Sequence, residues 1–555
     1  MVTTGAAPRR NTHPTAPLDV AYWVQFRRGD AHGGPAYTGT YGFDWVEWKR
    51  NSANNPHTAY DDLTAVTGVP ISNYVQCFDP GQPDIPAQPA TATQPATPLK
   101  PGIPPHYAAV TGMYKQRYED ELHKGYDKLI VQGNDYYVPW LSLRPHQTVQ
   151  LKLEVEFLNQ NAVQPTNLFT VAAHPDYVVT IAGKTNAAPM QLVPVNKQVL
   201  DVTIECLRPS ATARLRVEDE HGNLVGQLNI ADNTTVYELP LRVVYVLQGK
   251  PMNKHGALDA TPRRALYAPP GALANLQQQF LALRSQGVNL LTFLNQHSLN
   301  QALVTCAFQQ PATPHQLLMD LDQWKKDRQY SPSTNLLTDS KGLAKYCTDL
   351  ANSVYGPAFA AFRGITIYVF ELDVAPDPGA QGATNASGSN VPVVASTLRL
   401  FRSGLVGQGQ GKASTVAHEL GHVLGLTHAF PMPTGYEDGE IKILLSQKEG
   451  PTIILPGQIA ALAQAKATAA TPPTLVQQAD IQAKQDSMQL TQGQLTEINA
   501  QLAMYARNPF KFTGQSTNNI MDYDAADRRC FYWHWQWALL QADITAYYGT
   551  TTAAQ

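Results

Sequence analysis

The segment HELGHVLGLTH, residues 418–428, combines side chains whose types and spacing favour metal chemistry. His418 and His422 are four residues apart, and residues at that spacing lie on one face of a helix, so both rings can bind one metal ion. Gly425 can end the helix in a left-handed conformation, which lets the chain turn back and bring His428 to the same ion. Three neutral imidazoles suit zinc and leave its fourth position for water, as in catalytic rather than structural zinc sites.

Glu419 directly follows the first of these histidines and is predicted to be the catalytic base. Zinc lowers the pKa of its bound water to about 7. The carboxylate can take the proton as the water attacks a carbonyl carbon, and can hand it to the leaving amine. A pattern of this length arises by chance on the order of 10⁻⁵ to 10⁻⁴ times per chain, which disfavours a helix with ordinary core histidines. One catalytic zinc ion (Zn²⁺) is expected, although three imidazoles also accept other first-row ions.

The extended motif resembles that of the metzincin clan of zinc peptidases. That clan also has a Met-turn beneath the metal, and this chain has Asn-Asn-Ile-Met-Asp-Tyr at 518–523, downstream as the clan requires. The resemblance implies that Met521 forms the hydrophobic base under the zinc. It also implies that Tyr523 binds the metal or stabilises the oxyanion, as the matching residue does in several metzincin families.

Within the clan, residues 426–430 and 519–523 look most like the pappalysin-like families. Two features depart from that pattern, because those families often carry cysteines between the zinc helix and the Met-turn, and residues 429–520 contain none. The separation of His428 from Met521 is also long. The resemblance covers about 360–435 and 510–545 and leaves the first 250 residues outside it.

The elements predicted around the motif give a multidomain α+β fold. An N-terminal β-rich region with a β-sandwich is followed by a metzincin-like catalytic domain that carries a helical insertion. Alternating runs such as Val149–Val155 predict the sandwich strands. The expected boundaries are 1–127 for an N-terminal region with a Pro-rich linker, 128–250 for the sandwich, 255–440 for the first part of the catalytic domain, 441–508 for the insertion, and 509–555 for the remainder with the Met-turn and a C-terminal helix.

Several individual elements are predicted within these boundaries. Helices are expected at 272–283, 314–326, 341–354 and 527–548, and a buried strand within 364–372. Ser414 is expected to cap the helix that carries His418. By analogy with metzincins, a segment around 382–385 or 391–396 would pair with a substrate peptide. His534 is a weak candidate for a fourth metal ligand.

The insertion carries a seven-residue apolar repeat: Ile481, Met488, Leu495 and Leu502. This spacing is typical of a coiled-coil seam, and the simplest interpretation is an intramolecular helical hairpin. A partner-binding arm or a substrate lid is the alternative.

The composition limits which binding partners and which cellular compartment are expected. The net charge of −3 and the charged fraction of 15% give no electrostatic argument for nucleic acid or an anionic membrane. No run of about 18 apolar residues exists, and the N-terminus lacks the apolar stretch of a classical signal peptide. The five cysteines are scattered and odd in number, which fits synthesis in the reducing cytoplasm. Export by a non-classical or contact-dependent secretion system is expected, with a secretion apparatus or an immunity protein as partners besides the protein or peptide substrate.

The sequence is compatible with three alternative functions. The first is a zinc metallopeptidase, and the second is a zinc amidase that acts on bacterial cell-wall peptides with the same site residues. The third is a non-catalytic adaptor that uses the β-sandwich and retains a vestigial zinc site. The presence of both Glu419 and Tyr523 argues against the third, because a vestigial site needs neither.

Overall fold

The computed structural model describes most of the chain, with gaps. The described residues are 21–45, 74–82, 103–109, 126–158, 169–185, 192–251, 266–309, 311–326, 330–331, 333–337, 341–374, 386–388, 397–406, 412–430, 436–512, 514, 518–523, 529–548 and 550–554. Among the helices in these residues, none combines the length and the apolar character needed to span a membrane.

Two five-stranded sheets form in the N-terminal half of the chain. In the strand Thr148–Phe157 every second side chain is buried, which is the period of a sheet with one face on a core. The first sheet has the strand order Tyr22–Arg28, Thr148–Phe157, Gln198–Cys206, Tyr177–Ile181 and Lys184–Thr185. The second has the order Gly42–Asp44, Trp140–Ser142, Leu224–Ile230, Ala213–Glu218 and Thr170–Val171. Apolar side chains from both sheets belong to one buried core.

A third, eight-stranded sheet is built on the long strand Thr235–Pro251 and is called the central sheet below. Strands Val304–Gln309, His315–Asp320 and Ile365–Phe370 pair with the long strand in parallel. The sheet then continues through Thr397–Leu400, parallel to Ile365–Phe370, and ends at Ala386–Gly388, which is antiparallel. Leu266–Tyr267 and Thr550–Ala553 pair antiparallel with the two ends of the long strand.

The central sheet is buried on both faces, as its continuous apolar runs require. In Ile365–Phe370 all six residues are buried. Ile367 and Val369 join the main core, which also contains the apolar side chains of the helix that carries His418. Tyr368 and Phe370 join a second core on the opposite face. The sheet therefore separates two cores, and only one of them reaches the candidate metal site.

The remaining strands form small sheets at the edges of this framework. They are Tyr74–Asp79 with His106–Ala109 and Phe510–Phe512, Lys128–Val131 with Asn134–Tyr137, Arg284–Ser285 with Val288–Asn289, and Tyr330–Ser331 with Leu336–Leu337 and Asp373–Val374. The α-helices of the described residues are Ala272–Leu281, Leu290–Gln296, Leu321–Lys326, Lys341–Tyr355, Pro357–Ala360, Arg402–Val406, Ala413–Val423, Tyr436–Thr468, Leu475–Arg507 and His534–Asp543. Short 3₁₀ turns lie at Ala31–Gly33 and Leu299–Ala302, and a π turn at Ile544–Tyr548. The structure is mixed α and β, as the sequence predicted.

The insertion is a helical hairpin, formed by Tyr436–Thr468 and Leu475–Arg507. The two helices run antiparallel, since Gln458 Nε2 donates to Ser487 Oγ (2.9 Å) and the Tyr505 hydroxyl donates to Glu440 Oε2 (2.6 Å). At the base of the hairpin, apolar side chains pack with two strands of a small sheet: Phe78, Tyr107, Ile441, Leu444, Ile498, Met504 and Tyr505. The hairpin is thus anchored at the end where it leaves and rejoins the rest of the chain.

Strand pairing crosses two of the expected boundaries. Tyr22–Arg28 and Gly42–Asp44 pair with strands beyond residue 127, so the segment 21–45 contributes to the two N-terminal sheets. The strand Thr235–Pro251 pairs with strands near residues 304 and 365, so the central sheet begins before residue 250. Alternation along one strand does not reveal its partners, which is why sequence placed the divisions elsewhere.

Three predicted elements differ from the structure. Residues 314–326 are a strand, His315–Asp320, followed by the helix Leu321–Lys326, because pairing with the long strand overrides the helical pattern. The C-terminal helix starts at His534 rather than near 527, since Phe531 lies in an isolated bridge with Asn519. Ser414 is not the cap: the helix begins at Ala413 after Lys412, and the Ser414 hydroxyl instead accepts from Arg529 Nη2 (3.0 Å).

Candidate metal centre

The helix Ala413–Val423, called the histidine helix below, lies against the central sheet. It packs on the last two strands of that sheet, Thr397–Leu400 and Ala386–Gly388, and on the helix Leu290–Gln296. Ten of its eleven residues are buried, so its histidines are held in a rigid, dry environment. A helix surrounded in this way cannot shift without disturbing the core it shares with the sheet.

The end of the histidine helix turns the chain back towards its own third ligand. Gly425 has φ +81°, and its amide donates to the His422 carbonyl (3.0 Å), while the Leu426 amide donates to the Gly421 carbonyl (2.9 Å). These two bonds define a Schellman motif, whose left-handed residue is usually glycine. A side chain at 425 would also meet Asp543 Oδ2 at 2.4 Å. The turn predicted at Gly425 is present, and it returns His428 to the helix face.

Three imidazole nitrogens converge at one point. His422 Nε2 lies 3.1 Å from His418 Nε2 and 3.2 Å from His428 Nε2, and the three candidate ligand atoms are all within 4.8 Å of one another. Ligands about 2.0–2.1 Å from a tetrahedral zinc ion lie roughly 3.3 Å apart. The spacing of the three nitrogens therefore fits a zinc ion placed between them.

Hydrogen bonds orient two of the rings for this role. His418 Nδ1 is 2.8 Å from the Ile520 carbonyl oxygen, and His422 Nδ1 is 2.8 Å from the Leu426 carbonyl oxygen. A carbonyl only accepts, so each Nδ1 carries the proton and donates. Each Nε2 then keeps its lone pair for a metal, which is the usual outer-shell arrangement of metal-binding histidines.

Burial keeps the three imidazoles uncharged. Desolvation lowers the pKa of His418 and of His428 well below the usual range and that of His422 to about 4, with the nearby histidines opposing protonation of His418 and His428 further. Neutral rings with free Nε2 lone pairs are the form that binds zinc. In chemistry as well as geometry, the residues present fit a metal ion.

Met521 lies beneath the histidine helix, where the resemblance to metzincins places it. It is fully buried, and its amide donates to Asn519 Oδ1 (2.9 Å) while its carbonyl accepts from the Ala429 amide (3.0 Å). A Cβ added to Gly421 would lie 2.4 Å from Met521 Sδ. The glycine between the two helix histidines is thus the residue that lets the turn at 519–522 approach the helix.

Tyr523 reaches the site from the same turn. Its hydroxyl lies 3.0 Å from His428 Nε2, and its ring stacks on that of His418 with centroids 5.4 Å apart. Although 46% of the residue's surface is exposed, partial desolvation and the nearby Glu419 carboxylate together raise the pKa of its hydroxyl to about 12. The phenol is therefore a neutral hydrogen-bond donor at physiological pH.

Glu419 is 9% exposed, next to His418 on the histidine helix and close enough to Tyr523 to influence its ionisation. The structure thus brings together all five predicted polar residues: His418, Glu419, His422, His428 and Tyr523. His534 does not join them. Its ring stacks on Trp140 with centroids 4.2 Å apart, and its amide donates to Asp44 Oδ2 (2.7 Å).

The substrate-pairing segments expected around 382–385 and 391–396 lie outside the described residues. Between them, Ala386–Gly388 forms the last strand of the central sheet, beside the histidine helix.

Three residues at the site were missed by sequence reasoning. Asn508 and Lys511 follow the second hairpin helix and contact the loop that carries His428. Arg529, buried next to the start of the histidine helix, was also missed. No spacing rule connects any of them to the motif, because they lie about 80 to 110 residues downstream of it.

No protein-family model matches this chain, and no curated protein matches it either.

Gly421→Ala is expected to lower the free energy of unfolding by about 1–3 kcal/mol, the usual cost of overpacking, because the added methyl displaces Met521. The matched control is Gly450→Ala in the hairpin, where the added methyl meets nothing within 4 Å. That change should stabilise by about 0.5–1 kcal/mol. Urea unfolding of both variants measures the difference, and equal effects at the two positions would contradict the packing role of Gly421.

The metal-free protein is expected to lose stability as the pH falls from about 7 towards 4. Unfolded histidine titrates near 6.5, whereas His422 in the fold has a pKa of about 4, so the unfolded state binds the extra proton in this window. The contribution of His422 is about 3 kcal/mol. Urea unfolding at several pH values measures this slope, which His422→Gln should reduce. A slope unchanged by His422→Gln would be the contrary result.

Proposed function

We propose that this chain is a zinc-dependent metallopeptidase of metzincin type. In this proposal, His418, His422 and His428 hold one zinc ion, and Glu419 is the catalytic base. The observation that carries the proposal is the convergence of three neutral imidazoles, two of them oriented by hydrogen bonds, beside a carboxylate. Three protein ligands plus one open position are the pattern of catalytic zinc, whereas structural zinc sites are closed by four.

A bound zinc ion would supply a positive charge that acidifies a water molecule and polarises the carbonyl of the scissile bond. The Glu419 carboxylate takes one proton from that water as the water oxygen bonds to the carbonyl carbon. When the carbon–nitrogen bond breaks, Glu419 gives this proton to the leaving nitrogen. Water is consumed, and its second proton stays on the new carboxyl group until it passes to the amine, so the products at neutral pH are a carboxylate and an ammonium group.

Tyr523 can stabilise the oxygen that gains negative charge during the attack. Its hydroxyl lies 3.0 Å from His428 Nε2. A ring nitrogen that binds a metal can no longer accept a hydrogen bond, so the hydroxyl would be free to donate to the substrate oxygen. A neutral donor preplaced beside a developing oxyanion is one of the strongest catalytic contributions.

The substrate is proposed to be a peptide in an extended conformation. The strand Ala386–Gly388 ends the central sheet and packs beside the histidine helix. An added peptide strand would gain main-chain hydrogen bonds there and would run close to the metal position. Hydrolysis of an extended peptide fits this arrangement better than hydrolysis of a small isolated amide.

Glu419→Gln is expected to keep zinc but to lose hydrolysis by roughly 10²-fold or more, because the amide cannot take the proton. Zinc content by mass spectrometry and cleavage of an unfolded protein substrate are measured together. Glu449→Gln, on an exposed face of the hairpin, is the matched control and should cleave like the wild type. If Glu419→Gln cleaved the substrate at the wild-type rate, Glu419 would not be the catalytic base.

The same assay separates the competing functions. Zinc in the wild type with hydrolysis of cell-wall peptides alone would favour the amidase. Zinc in both Glu419→Gln and the wild type, with hydrolysis in neither of any substrate, would favour the adaptor.

Tyr523→Phe is expected to lower kcat by about 10²–10³-fold, the usual effect of removing one oxyanion donor, with little change in stability. Zinc binding should be retained, because the three histidines remain. Tyr547→Phe, at a tyrosine that is 39% exposed, serves as the control. A rate unchanged by Tyr523→Phe would assign Tyr523 to packing alone.

A further inference from the structure

His428 differs from the other two histidines in how its backbone is supported. His418 and His422 belong to the histidine helix, whose hydrogen bonds fix their main chain. His428 lies beyond the helix end, in a segment without regular secondary structure. A metal-binding side chain on such a segment needs other contacts to hold its nitrogen in place, because a displacement of that nitrogen by about 1 Å is enough to weaken metal binding or catalysis.

Those contacts come from the residues that follow the hairpin. Asn508 is 1% exposed, and its Oδ1 accepts from the Thr427 amide (3.1 Å) while its Nδ2 donates to the Gly425 carbonyl (3.0 Å). Its own carbonyl accepts from the Tyr107 hydroxyl (2.8 Å). The loop from Gly425 to His428 is therefore attached to the base of the hairpin by side-chain hydrogen bonds.

Lys511 makes the closest of these attachments. Its Nζ donates to the His428 carbonyl (2.5 Å), to Thr427 Oγ1 (2.9 Å) and to Glu437 Oε1 (2.6 Å). These contacts use all three protons of the ammonium group. Lys511 is 0% exposed, and Glu437, in the first turn of the first hairpin helix, is 7% exposed.

A buried ion pair of this kind is a poor way to gain stability alone. Removing two charges from water costs several kcal/mol per ion, and an apolar pair of similar volume is often equally stable or more so. What the apolar pair cannot supply is a directional donor to the backbone oxygen of His428. The buried charge on Lys511 is therefore explained by the hydrogen bond that it donates to the His428 carbonyl, which fixes the position of His428.

We propose that Lys511, held by Glu437, is a positioning residue for the third metal ligand, so that the base of the helical hairpin completes the metal site. The inference rests on the proposed function in assuming that His428 binds zinc. In this proposal the helical hairpin helps to assemble the metal site. It brings Glu437, in the first turn of its first helix, and Lys511, just after the end of its second helix, together beside the His428 carbonyl.

The test measures zinc binding without any substrate. Lys511→Met removes the charge and keeps the length of the side chain, and zinc affinity, measured by competition with a chromophoric chelator, should fall about 10–100-fold, as for other outer-shell changes. In the cobalt-substituted protein the visible absorption bands should change, because His428 no longer occupies its ligand position. Lys466→Met removes an exposed lysine from the same hairpin and should alter neither readout.

Lys511→Met alone leaves Glu437 buried without a partner and can fail to fold for that reason. The double variant Lys511→Met/Glu437→Leu avoids this cost and should fold like the wild type by circular dichroism. Its zinc affinity should still be about 10–100-fold lower. A folded double variant with zinc affinity within about twofold of the wild type, and an unchanged cobalt spectrum, would overturn the proposal.

The outcomes also separate this proposal from the proposed function. A wild type that binds zinc but hydrolyses no peptide would overturn the function and leave the positioning role of Lys511 supported by the affinity loss. Full hydrolysis together with unchanged zinc affinity in the double variant would overturn only the positioning role. A wild type that binds no zinc would overturn both.

Discussion

Three imidazole lone pairs can point at one place only if the backbone behind each ring is fixed and the rings are kept out of water. Here His418 Nε2 and His428 Nε2 lie 3.1 and 3.2 Å from His422 Nε2. Without a cation between them, such dipoles gain little from their proximity, and burial removes their contacts with water. The surrounding structure must therefore hold them together, and much of the fold can be understood from that requirement.

Three parts of the chain meet this requirement from different directions. The central sheet supports the histidine helix along its length, the turn at 519–522 supports it from below through Met521, and the hairpin base holds the loop beyond it. The two N-terminal sheets share the same core as the helix. Because each part contacts the candidate site through a few specific atoms, single substitutions far away in sequence can act directly on the three histidines.

The sequence predicted the parts of the site that follow local rules. Spacing of four placed His418 and His422 together, and Gly425 predicted the turn. The resemblance to the metzincin clan, rather than a local rule, placed Met521 and Tyr523 nearby. Lys511 could not be found in this way. It lies between two phenylalanines, and that alternation is typical of a strand with its polar residue facing solvent, yet the residue is fully buried. Its partners are set by tertiary contacts that no local pattern encodes. The same reason explains why residues 315–320 form a strand and why the Ser414 hydroxyl accepts from Arg529 instead of capping its helix.

The hydrogen bond between His418 Nδ1 and the Ile520 carbonyl joins residues 102 positions apart. During synthesis on the ribosome, all three histidines and Glu419 are therefore made well before the carbonyl that orients the first of them. The helical hairpin lengthens the interval, because both of its helices are synthesised before the turn at 519–522. A nascent chain that has just produced the whole histidine motif would still lack an assembled candidate site, so the proposed function places binding of the ion at the final stage of folding.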